Sequence, residues 1–498
     1  MRSKNWIRRV IYFQEKKEYN LYTILIFALF VGIVRSLEET MLAHSIGYQN
    51  SIINSITFYF LMIWSYTFVI SLLAKVHWQK AINAVLIGVF LGIIPPIIDV
   101  FIYGVGGFSY TYVMKTPSIA QLLMFDPEHG FPIGEGLVLW STIFFAGYYV
   151  YIKTSSLSKA FLGGCAAYLI NVNAGSIIPA VSSLLYFKLS LTRMACISLL
   201  QVMVSSLLYL LLNPHIAKVL IKRCLHCMPF VILTFLGAAV TESINLATVL
   251  MSVLVFYAGI TSLVQNDFFD QKEDTLSGRA VVVGRQDMFF FNATCAAMIL
   301  VLFSMNKSII YLPLLLLFIC SIIYNHDFYR AKRFFPGNYK IEGMWGLGAF
   351  LAGLFSHKNL EFTPEIIIYC FLVFGGWSLV STFKDYKDID ADLAVGNQTG
   401  YIMLMKAGLD LKQAHRVVSS VTILCLIVPV VWLFYLKIPV LTVAGFALVT
   451  ITPFFVALNK PPSSAAVRDF LFATSFYLFV FLIVLMVYDP NTYMPTLR

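Results

Sequence analysis

Long apolar runs recur along the whole chain and alternate with short polar segments. A helix needs roughly 20 residues to cross a hydrocarbon core about 30 Å thick. We predict fifteen membrane-spanning helices, six before residue 214 and nine after it. The predicted spans lie near residues 20–35, 51–74, 82–104, 134–153, 160–187, 192–213, 228–243, 247–264, 287–305, 307–324, 339–356, 365–383, 416–436, 438–457 and 468–487. The pattern therefore predicts an all-α polytopic membrane protein.

Composition agrees with this fold class. Of the 498 residues, 59% are hydrophobic and only 12% are charged, and the mean hydropathy is +0.81. About a quarter of residues are charged in soluble domains. The basic N-terminus is followed by no small-residue cleavage pattern, so we interpret the first apolar run as a retained helix rather than a signal peptide.

The distribution of Lys and Arg predicts the orientation of the chain in the bilayer. If the N-terminus is cytoplasmic, 27 of the 35 Lys and Arg fall on the cytoplasmic side of the predicted spans. This asymmetry also explains the net charge of +10, because a basic inner face suits anionic lipid. We therefore predict the lipid bilayer as a partner and no nucleic acid.

The polar stretch from Asn213 to Arg223 predicts a domain boundary, since Asn-Pro dipeptides often mark helix ends. We predict a six-helix membrane domain over residues 1–213 and a nine-helix domain over residues 214–498. The eight cysteines are scattered, mostly within apolar runs, and predict no disulfide framework. Cys224 and Cys227 lack a second ligand pair at zinc-site spacing.

Two short stretches hold eight of the 25 acidic residues: residues 264–274, here the first acidic segment, and residues 384–392, the second acidic segment. Each directly follows a predicted span. Three aspartates in each share the spacing i, i+3, i+7: Asp267, Asp270 and Asp274, then Asp385, Asp388 and Asp392. If each segment continues its helix, each trio lines one helical face.

Three carboxylates on one face repel each other and favour a bound cation. Magnesium suits such oxygen ligands and usually binds through one or two carboxylates together with substrate phosphates. A single acidic run beside a membrane is most often a solvated loop. The repetition of the pattern is more specific, and it predicts a magnesium site for a phosphorylated substrate.

The motif Asn266-Asp267-x-x-Asp270-x-x-x-Asp274, with Asp388-x-x-x-Asp392 preceded by Asp385, resembles the two signature motifs of the UbiA superfamily of intramembrane prenyltransferases. The resemblance covers roughly residues 222–498, where the nine predicted spans equal the number in that family. Both motifs follow the helices that carry them there, the second and the sixth. Further matching positions are Arg279 and Gly284 after the first motif and Gly396 and Thr399 after the second.

The resemblance implies a UbiA-like helical bundle that binds Mg²⁺ and an isoprenyl diphosphate and transfers the isoprenyl group to an acceptor that it does not identify. The implied metal ligands are Asn266, Asp270, Asp274, Asp388 and Asp392. Asp267 and Asp385 are predicted to take part in catalysis. The candidate diphosphate-binding residues are Arg279, Lys272, Arg285 and Lys387, with Lys384 beside them. The basic cluster from Arg330 to Arg333 is interpreted as a topology signal.

Two departures from the family pattern affect the substrate. After the first motif the chain runs from Arg279 to Arg285 without the Pro that many members have, and Gln398 replaces a basic residue after the second motif. Either Arg285 substitutes for the lost charge or the donor lies differently. These departures put the family's familiar acceptors in doubt.

Two alternatives stay open. The first is a membrane terpene cyclase, since some UbiA-like proteins ionise the same donor and cyclise it without an acceptor. The second is a transporter, although transporter sites lie near the membrane midplane. We recognise no family resemblance in residues 1–213, and the function of their helices, such as delivery of a substrate or binding of a partner, stays open. Polar residues at membrane depth are the leads there: Glu38, Glu39, Asp99, Asn171 and Asn173.

Overall fold

The computed structural model describes residues 9, 11–17, 19–43, 52–110, 131–175, 193–241, 244–271, 275, 283–305, 309–356, 362–461 and 463–488. The regular elements of these residues are all helices, so the predicted all-α class is confirmed.

Seven α-helices lie in the first 213 residues of the described chain. They are α1 (Leu21–Leu42), α2 (Ile52–Ala74), α3 (Trp78–Phe90), α4 (Pro95–Tyr103), α5 (Ile133–Thr154), α6 (Leu157–Gly175) and α7 (Arg193–Leu212). A short 3₁₀-helix, Leu91–Ile93, joins α3 to α4, so that these two together occupy the predicted span 82–104.

Eleven α-helices follow in the rest of the described chain. They are α8 (Pro214–Val240), α9 (Leu246–Phe269), α10 (Arg285–Met305), α11 (Tyr311–Asn325), α12 (Gly337–Leu354), α13 (Pro364–Val380), α14 (Ile389–Val395), α15 (Gly400–Lys406), α16 (Leu411–Tyr435), α17 (Val440–Leu458) and α18 (Ser464–Val487). The 3₁₀-helices Ala331–Arg333 and Ser381–Lys387 lie before α12 and after α13.

Every predicted span overlaps a described helix, but the predicted number of fifteen is not confirmed. Twelve helical stretches in the described residues are long and apolar enough to cross a membrane, and α11 is apolar but shorter. Helix α12 falls outside the twelve because polar side chains, including Lys340 and Glu342, interrupt its apolar surface. The number and length of the twelve apolar helices make the chain an integral, multi-pass membrane protein.

The described chain forms two compact units. One comprises residues 1–217 with 300–306, and the other comprises residues 218–299 with 307–498. Helix α8 begins at Pro214 and continues through the polar stretch after Asn213. Proline is favoured at the first position of a helix, where its missing N–H costs nothing. The predicted functional division at residues 213/214 stays a prediction.

Glycines allow the helices of the second unit to approach closely. A Cβ atom on Gly353 of α12 would lie 1.8 Å from the carbonyl oxygen of Thr234 on α8, and one on Gly237 of α8 would lie 2.0 Å from the carbonyl oxygen of Phe350. The backbones of α8 and α12 therefore cross in direct contact, which holds α12 against the helix that carries Arg223.

Candidate active site

The first acidic segment leaves the helix at its second aspartate. Helix α9 starts at a capping box formed by Asn245 and Thr248 and ends at Phe269, and Asp270 follows with φ −92° and ψ 9°. Asp side chains favour helix ends over helix interiors. Asp267 therefore lies inside α9 and Asp270 directly after its last residue, and the predicted face of three aspartates stays a prediction for this segment. Asp274 lies outside the described residues.

The second acidic segment is also not a continuous α-helix. Asp385 lies in a 3₁₀-helix, Asp388 is the residue between that helix and α14, and Asp392 lies within α14. Gly396 ends α14 with φ 78°, a left-handed conformation that favours glycine. The predicted i, i+3, i+7 face is wrong for this trio, since a 3₁₀-helix has three residues per turn instead of 3.6.

Stacked rings hold the second acidic segment in place. The ring of Tyr386 stacks on His415 of α16 with centroids 4.1 Å apart, and the ring of Phe383 stacks on Phe470 of α18 with centroids 4.3 Å apart. Aromatic side chains bury large apolar areas, and their pairs add to the stability of packing. The flanking aspartates thus project from a fixed backbone.

Both acidic segments contribute to one cavity of about 360 Å³ within the second unit. Its lining includes side chains from α8, α9, α11, α12, α13 and α18. Asn266 and Asp270 come from the first segment, and Asp385, Asp388 and Asp392 come from the second. Residues more than a hundred positions apart in the chain therefore face the same space.

Two basic residues before α12 surround Asp270. Lys332 pairs with its Oδ1 atom, and the guanidinium of Arg330 donates to the same oxygen over 3.2 Å. Asn266 donates from Nδ2 to the other oxygen over 2.7 Å. Lys332 also lines the cavity. The basic cluster interpreted as a topology signal therefore meets the first acidic segment directly.

Asp267, predicted to be catalytic, lies in a different environment. It is 9% exposed, pairs with Arg223 of α8, and is not among the cavity-lining residues, whereas Arg223 is. Asp267 is thus placed to orient Arg223 toward the cavity.

Hydrogen bonds connect the second segment to α12 and to the loop after α14. The Tyr339 hydroxyl donates to Oδ2 of Asp385 over 3.1 Å and accepts from the backbone N–H of Gly400. Asn397 donates from Nδ2 to Asp392 over 2.7 Å. Asp388 and Lys387 form an ion pair at 3.7 Å.

Several buried polar atoms at the cavity have no hydrogen-bond partner among the described residues. They are Asn338 Oδ1, Asn397 Oδ1, Thr399 Oγ1 and Trp377 Nε1. Leaving a buried polar group unsatisfied costs about 1–3 kcal/mol. Three of these atoms are oxygens beside the second acidic segment, so a bound cation or a ligand with donor groups would satisfy them.

The predicted diphosphate-binding residues differ in their positions. Lys387 lines the cavity, whereas Arg285 begins α10, is exposed and is not part of the lining. Lys272 and Arg279 lie outside the described residues. The backbone N–H of Gln398 donates to the carbonyl of Arg333 over 2.9 Å. In the described residues the cavity's basic charge comes from Arg223, Lys332, Lys384 and Lys387.

One end of the cavity is aromatic. The ring of Phe230 on α8 lies 5.3 Å from Trp345 of α12 and 4.9 Å from Trp377 of α13, between ring centroids. A Cβ atom on Gly346 would lie 2.8 Å from the Trp377 ring, so this glycine makes room for it. These rings form an apolar wall suited to a hydrocarbon chain, and their faces can stabilise positive charge.

The cavity residues that the sequence pattern missed include Arg223, Asn325, Asn338 and Glu342. Asn325, Asn338 and Glu342 are single polar residues at predicted span ends or within spans, with no repeated spacing to distinguish them. The available signal was their polarity at membrane depth, which often marks functional sites. Arg223 was interpreted as part of the basic inner face.

The donor set fits magnesium bound together with an anionic ligand. Among the described residues no three His, Cys, Asp or Glu side chains are close enough to hold a metal by themselves. Magnesium usually takes one or two carboxylates and completes its shell with phosphates and water. The described lining holds five carboxylates and four Lys or Arg side chains, so an anion would need a cation between itself and the aspartates.

The polar residues noted in the first unit are mostly paired. Arg35 donates to Glu39 over 2.5 Å and to Glu135 over 2.7 Å. Asp99 is fully buried and accepts from Tyr110 over 2.7 Å and from the backbone N–H of Gly134 over 2.6 Å.

The other leads in this unit differ from one another. Oε2 of Glu38 has no partner among the described residues, and Asn171 accepts from Tyr66 over 3.1 Å. Asn173 lies in α6, and its side chain is not among those that the structure describes.

Comparison with known proteins identifies one family. Residues 227–485, more than half of the chain, match the UbiA prenyltransferase family, and no curated protein matches.

Among solved structures, the chain is similar to a UbiA homologue from Archaeoglobus fulgidus bound to DMAPP and Mg²⁺, at 15% identity, 53% of this chain, 97% of that chain and a TM-score of 0.39. A UbiA homologue from Archaeoglobus fulgidus bound to GPP and Mg²⁺ is 13% identical, covers 53% of this chain and 97% of its own, and has a TM-score of 0.37. A structure described for digeranylgeranylglyceryl phosphate synthase is 17% identical, covers 55% of this chain and 97% of its own, and has a TM-score of 0.39.

These structural similarities are too low to bear on the site, and the assignment rests on the family match. That match includes both acidic segments and most of the cavity-lining residues, although Arg223 and His226 of α8 precede it. The chain belongs to the UbiA prenyltransferase family of integral membrane proteins.

Proposed function

We propose that the chain transfers an isoprenyl group from an isoprenyl diphosphate to an acceptor, with Mg²⁺ held between the two acidic segments. The observation that carries the proposal is the shared cavity: carboxylates from both segments line it together with four basic side chains and an aromatic end. Membership of the family supports the reaction class. The acceptor and the length of the isoprenyl chain are left open.

The cavity suits the two parts of such a donor. Lys332, Lys387 and Arg223 supply basic charge near the aspartates, where they would bind diphosphate oxygens in charge-assisted hydrogen bonds. The rings of Phe230, Trp345 and Trp377 offer an apolar surface for the isoprenyl chain. A donor that spans both regions would lie with its reacting carbon between them.

Asn266, Asp270, Asp388 and Asp392 are the described residues that we propose to hold the metal, and Asp274 would join them. When bound, Mg²⁺ neutralises the charge that develops on a departing diphosphate. The chain's own residues orient the donor: Lys332 and Arg330 fix Asp270, and Asn397 fixes Asp392.

Aspartate variants test the proposal. Labelled isoprenyl diphosphates would be incubated with membranes that contain the chain and Mg²⁺, and released diphosphate would be measured. We expect Asp270→Ala and Asp388→Ala to lower the rate at least about 100-fold, in the range found when a group that stabilises transition-state charge is removed.

Asp390→Ala is the matched control, because Asp390 belongs to the second acidic segment but is exposed and does not line the cavity. It should retain nearly the full rate. Equal rates in all three variants and the wild type would overturn the proposed site.

A further inference from the structure

Glu342 and Lys384 form a charged pair that lines the cavity and includes none of the proposed metal ligands. Lys384 pairs with Oε1 of Glu342 and donates to the hydroxyl of Tyr324 over 2.9 Å. All three residues line the cavity. Taking two charges out of water is costly, and their mutual attraction often does not repay it. A charged pair in the lining of the cavity is therefore better explained by a function than by a gain in stability.

The second oxygen of Glu342 is available to a ligand. The Glu342 side chain is 15% exposed, and no hydrogen bond to Oε2 occurs among the described residues. Lys384 holds the carboxylate through Oε1, which fixes the direction of Oε2. The pair thus presents one oriented carboxylate oxygen.

The position of Glu342 on α12 lies between the two ends of the cavity. Asn338 is in the first turn of α12, where the neighbouring Tyr339 contacts Asp385. Glu342 follows one turn later, about 6 Å along the axis at 1.5 Å per residue, and Trp345 follows about 4.5 Å beyond. Along this face of α12 the aspartates come first, the Glu342 carboxylate second and the aromatic wall third. The reacting carbon of a bound donor would therefore lie beside Glu342.

We propose that Glu342 is the general base that accepts the proton released in the reaction. This inference rests on the proposed function. The C1–O bond of the donor breaks and its electron pair leaves with the diphosphate. An electron pair of the acceptor forms the new bond to C1, and the acceptor's proton passes to Oε2 of Glu342. The neutral carboxyl then returns the proton to water, and Lys384 stays protonated throughout.

The same base serves if the isoprenyl cation cyclises without an acceptor. In that case a C–H bond of the cyclised cation breaks, its electron pair forms a double bond, and the proton passes to Glu342. Capture by water needs no such base, because water can release its proton to solvent. The base therefore controls how the isoprenyl group is partitioned between proton-loss products and the free alcohol.

The test separates diphosphate release from proton loss. Membranes with wild-type chain or Glu342→Gln would receive labelled geranyl, farnesyl or geranylgeranyl diphosphate, Mg²⁺, and an extract of the same membranes as the source of acceptor. Diphosphate, transfer product, hydrocarbon and alcohol would each be measured. We expect Glu342→Gln to reduce proton-loss products at least about 100-fold, since a general base contributes 10²- to 10⁴-fold.

In the same variant, diphosphate release and KM for the donor should change less than about threefold, with the remaining product appearing as alcohol. Glu342→Asp keeps a carboxylate and should restore at least a tenth of the proton-loss products. Glu365→Gln removes a glutamate from the start of α13, outside the cavity, and should behave as wild type.

A structural role for the pair predicts a different result. If Glu342 only neutralises Lys384, the double variant Glu342→Gln with Lys384→Gln should recover the proton-loss products that the single variant loses. Such recovery, or an unchanged product ratio in Glu342→Gln, would overturn the assignment. If the wild type releases no diphosphate, the proposed function itself fails and this inference fails with it.

Discussion

Two aspartates three positions apart in the first acidic segment meet different cations. Asp267 pairs with Arg223 of α8, and Asp270 pairs with Lys332 and Arg330 before α12. Of these two carboxylates, that of Asp270 lines the cavity and that of Asp267 does not. Two neighbouring aspartates of one motif thus lie in different environments.

Lys332 provides a residue-scale prediction. Lys332→Gln removes a cation that pairs with Asp270 and lines the cavity. Charge-assisted hydrogen bonds contribute about 1.5–3 kcal/mol, so KM for the isoprenyl diphosphate should rise about tenfold or more. The measurement is diphosphate release at varied donor concentration.

Lys340→Gln is the control for this change, because Lys340 is an exposed lysine of α12 outside the cavity. It should leave KM unchanged. If both variants show the same KM as wild type, Lys332 does not bind the donor.

At this scale the sequence predicted the residue types of the site better than their partners. Repeated aspartates carry a spacing signal, and five of the predicted metal or catalytic residues line the second unit's cavity: Asn266, Asp270, Asp385, Asp388 and Asp392. Asn338 and Glu342 carry no such signal, because each is a single polar residue in α12. Which lysine meets which aspartate depends on how distant helices pack, and no local pattern encodes that.

At the scale of elements, hydropathy located the helices but not the breaks within them. The second acidic segment passes from α13 into a 3₁₀-helix and then into α14. Stacking of Phe383 on Phe470 and of Tyr386 on His415 fixes this path. These ring partners lie on α16 and α18, so the conformation depends on tertiary contacts that override local helix propensity.

The crossing of α8 and α12 gives an element-scale prediction. In Gly353→Ala the new Cβ atom would lie 1.8 Å from the carbonyl oxygen of Thr234, so the helices must separate. Overpacking of this kind costs about 1–3 kcal/mol. The thermal unfolding midpoint in detergent should fall, together with diphosphate release.

Gly445→Ala is the matched control, since no atom lies within 4 Å of a Cβ placed on Gly445 of α17. Alanine is also the better helix former there by about 1 kcal/mol. Its unfolding midpoint should stay the same or rise. A fall of equal size in both variants would argue against a specific contact at Gly353.

At the scale of the whole molecule, the chain combines a UbiA family unit with a preceding helical unit. The family match begins at residue 227, and the described helices before α8 form most of the other compact unit. In that first unit the buried charges of Arg35 and Glu39 are paired, and Arg35 also pairs with the half-buried Glu135. The cytoplasmic position of the acidic segments stays a prediction from the Lys and Arg distribution.

The central claim concerns magnesium between the two acidic segments. The described lining of the cavity holds more carboxylates than basic side chains, so an anionic donor should bind poorly without a divalent cation. Removal of magnesium should therefore stop the reaction without unfolding the chain.

The most direct measurement uses purified full-length chain in liposomes with labelled geranyl, farnesyl and geranylgeranyl diphosphates. We predict release of diphosphate from at least one of them in Mg²⁺, loss of release after addition of EDTA, and recovery when Mg²⁺ is added in excess. Release that EDTA does not affect, or no release from any of the three donors at any magnesium concentration, would contradict the account.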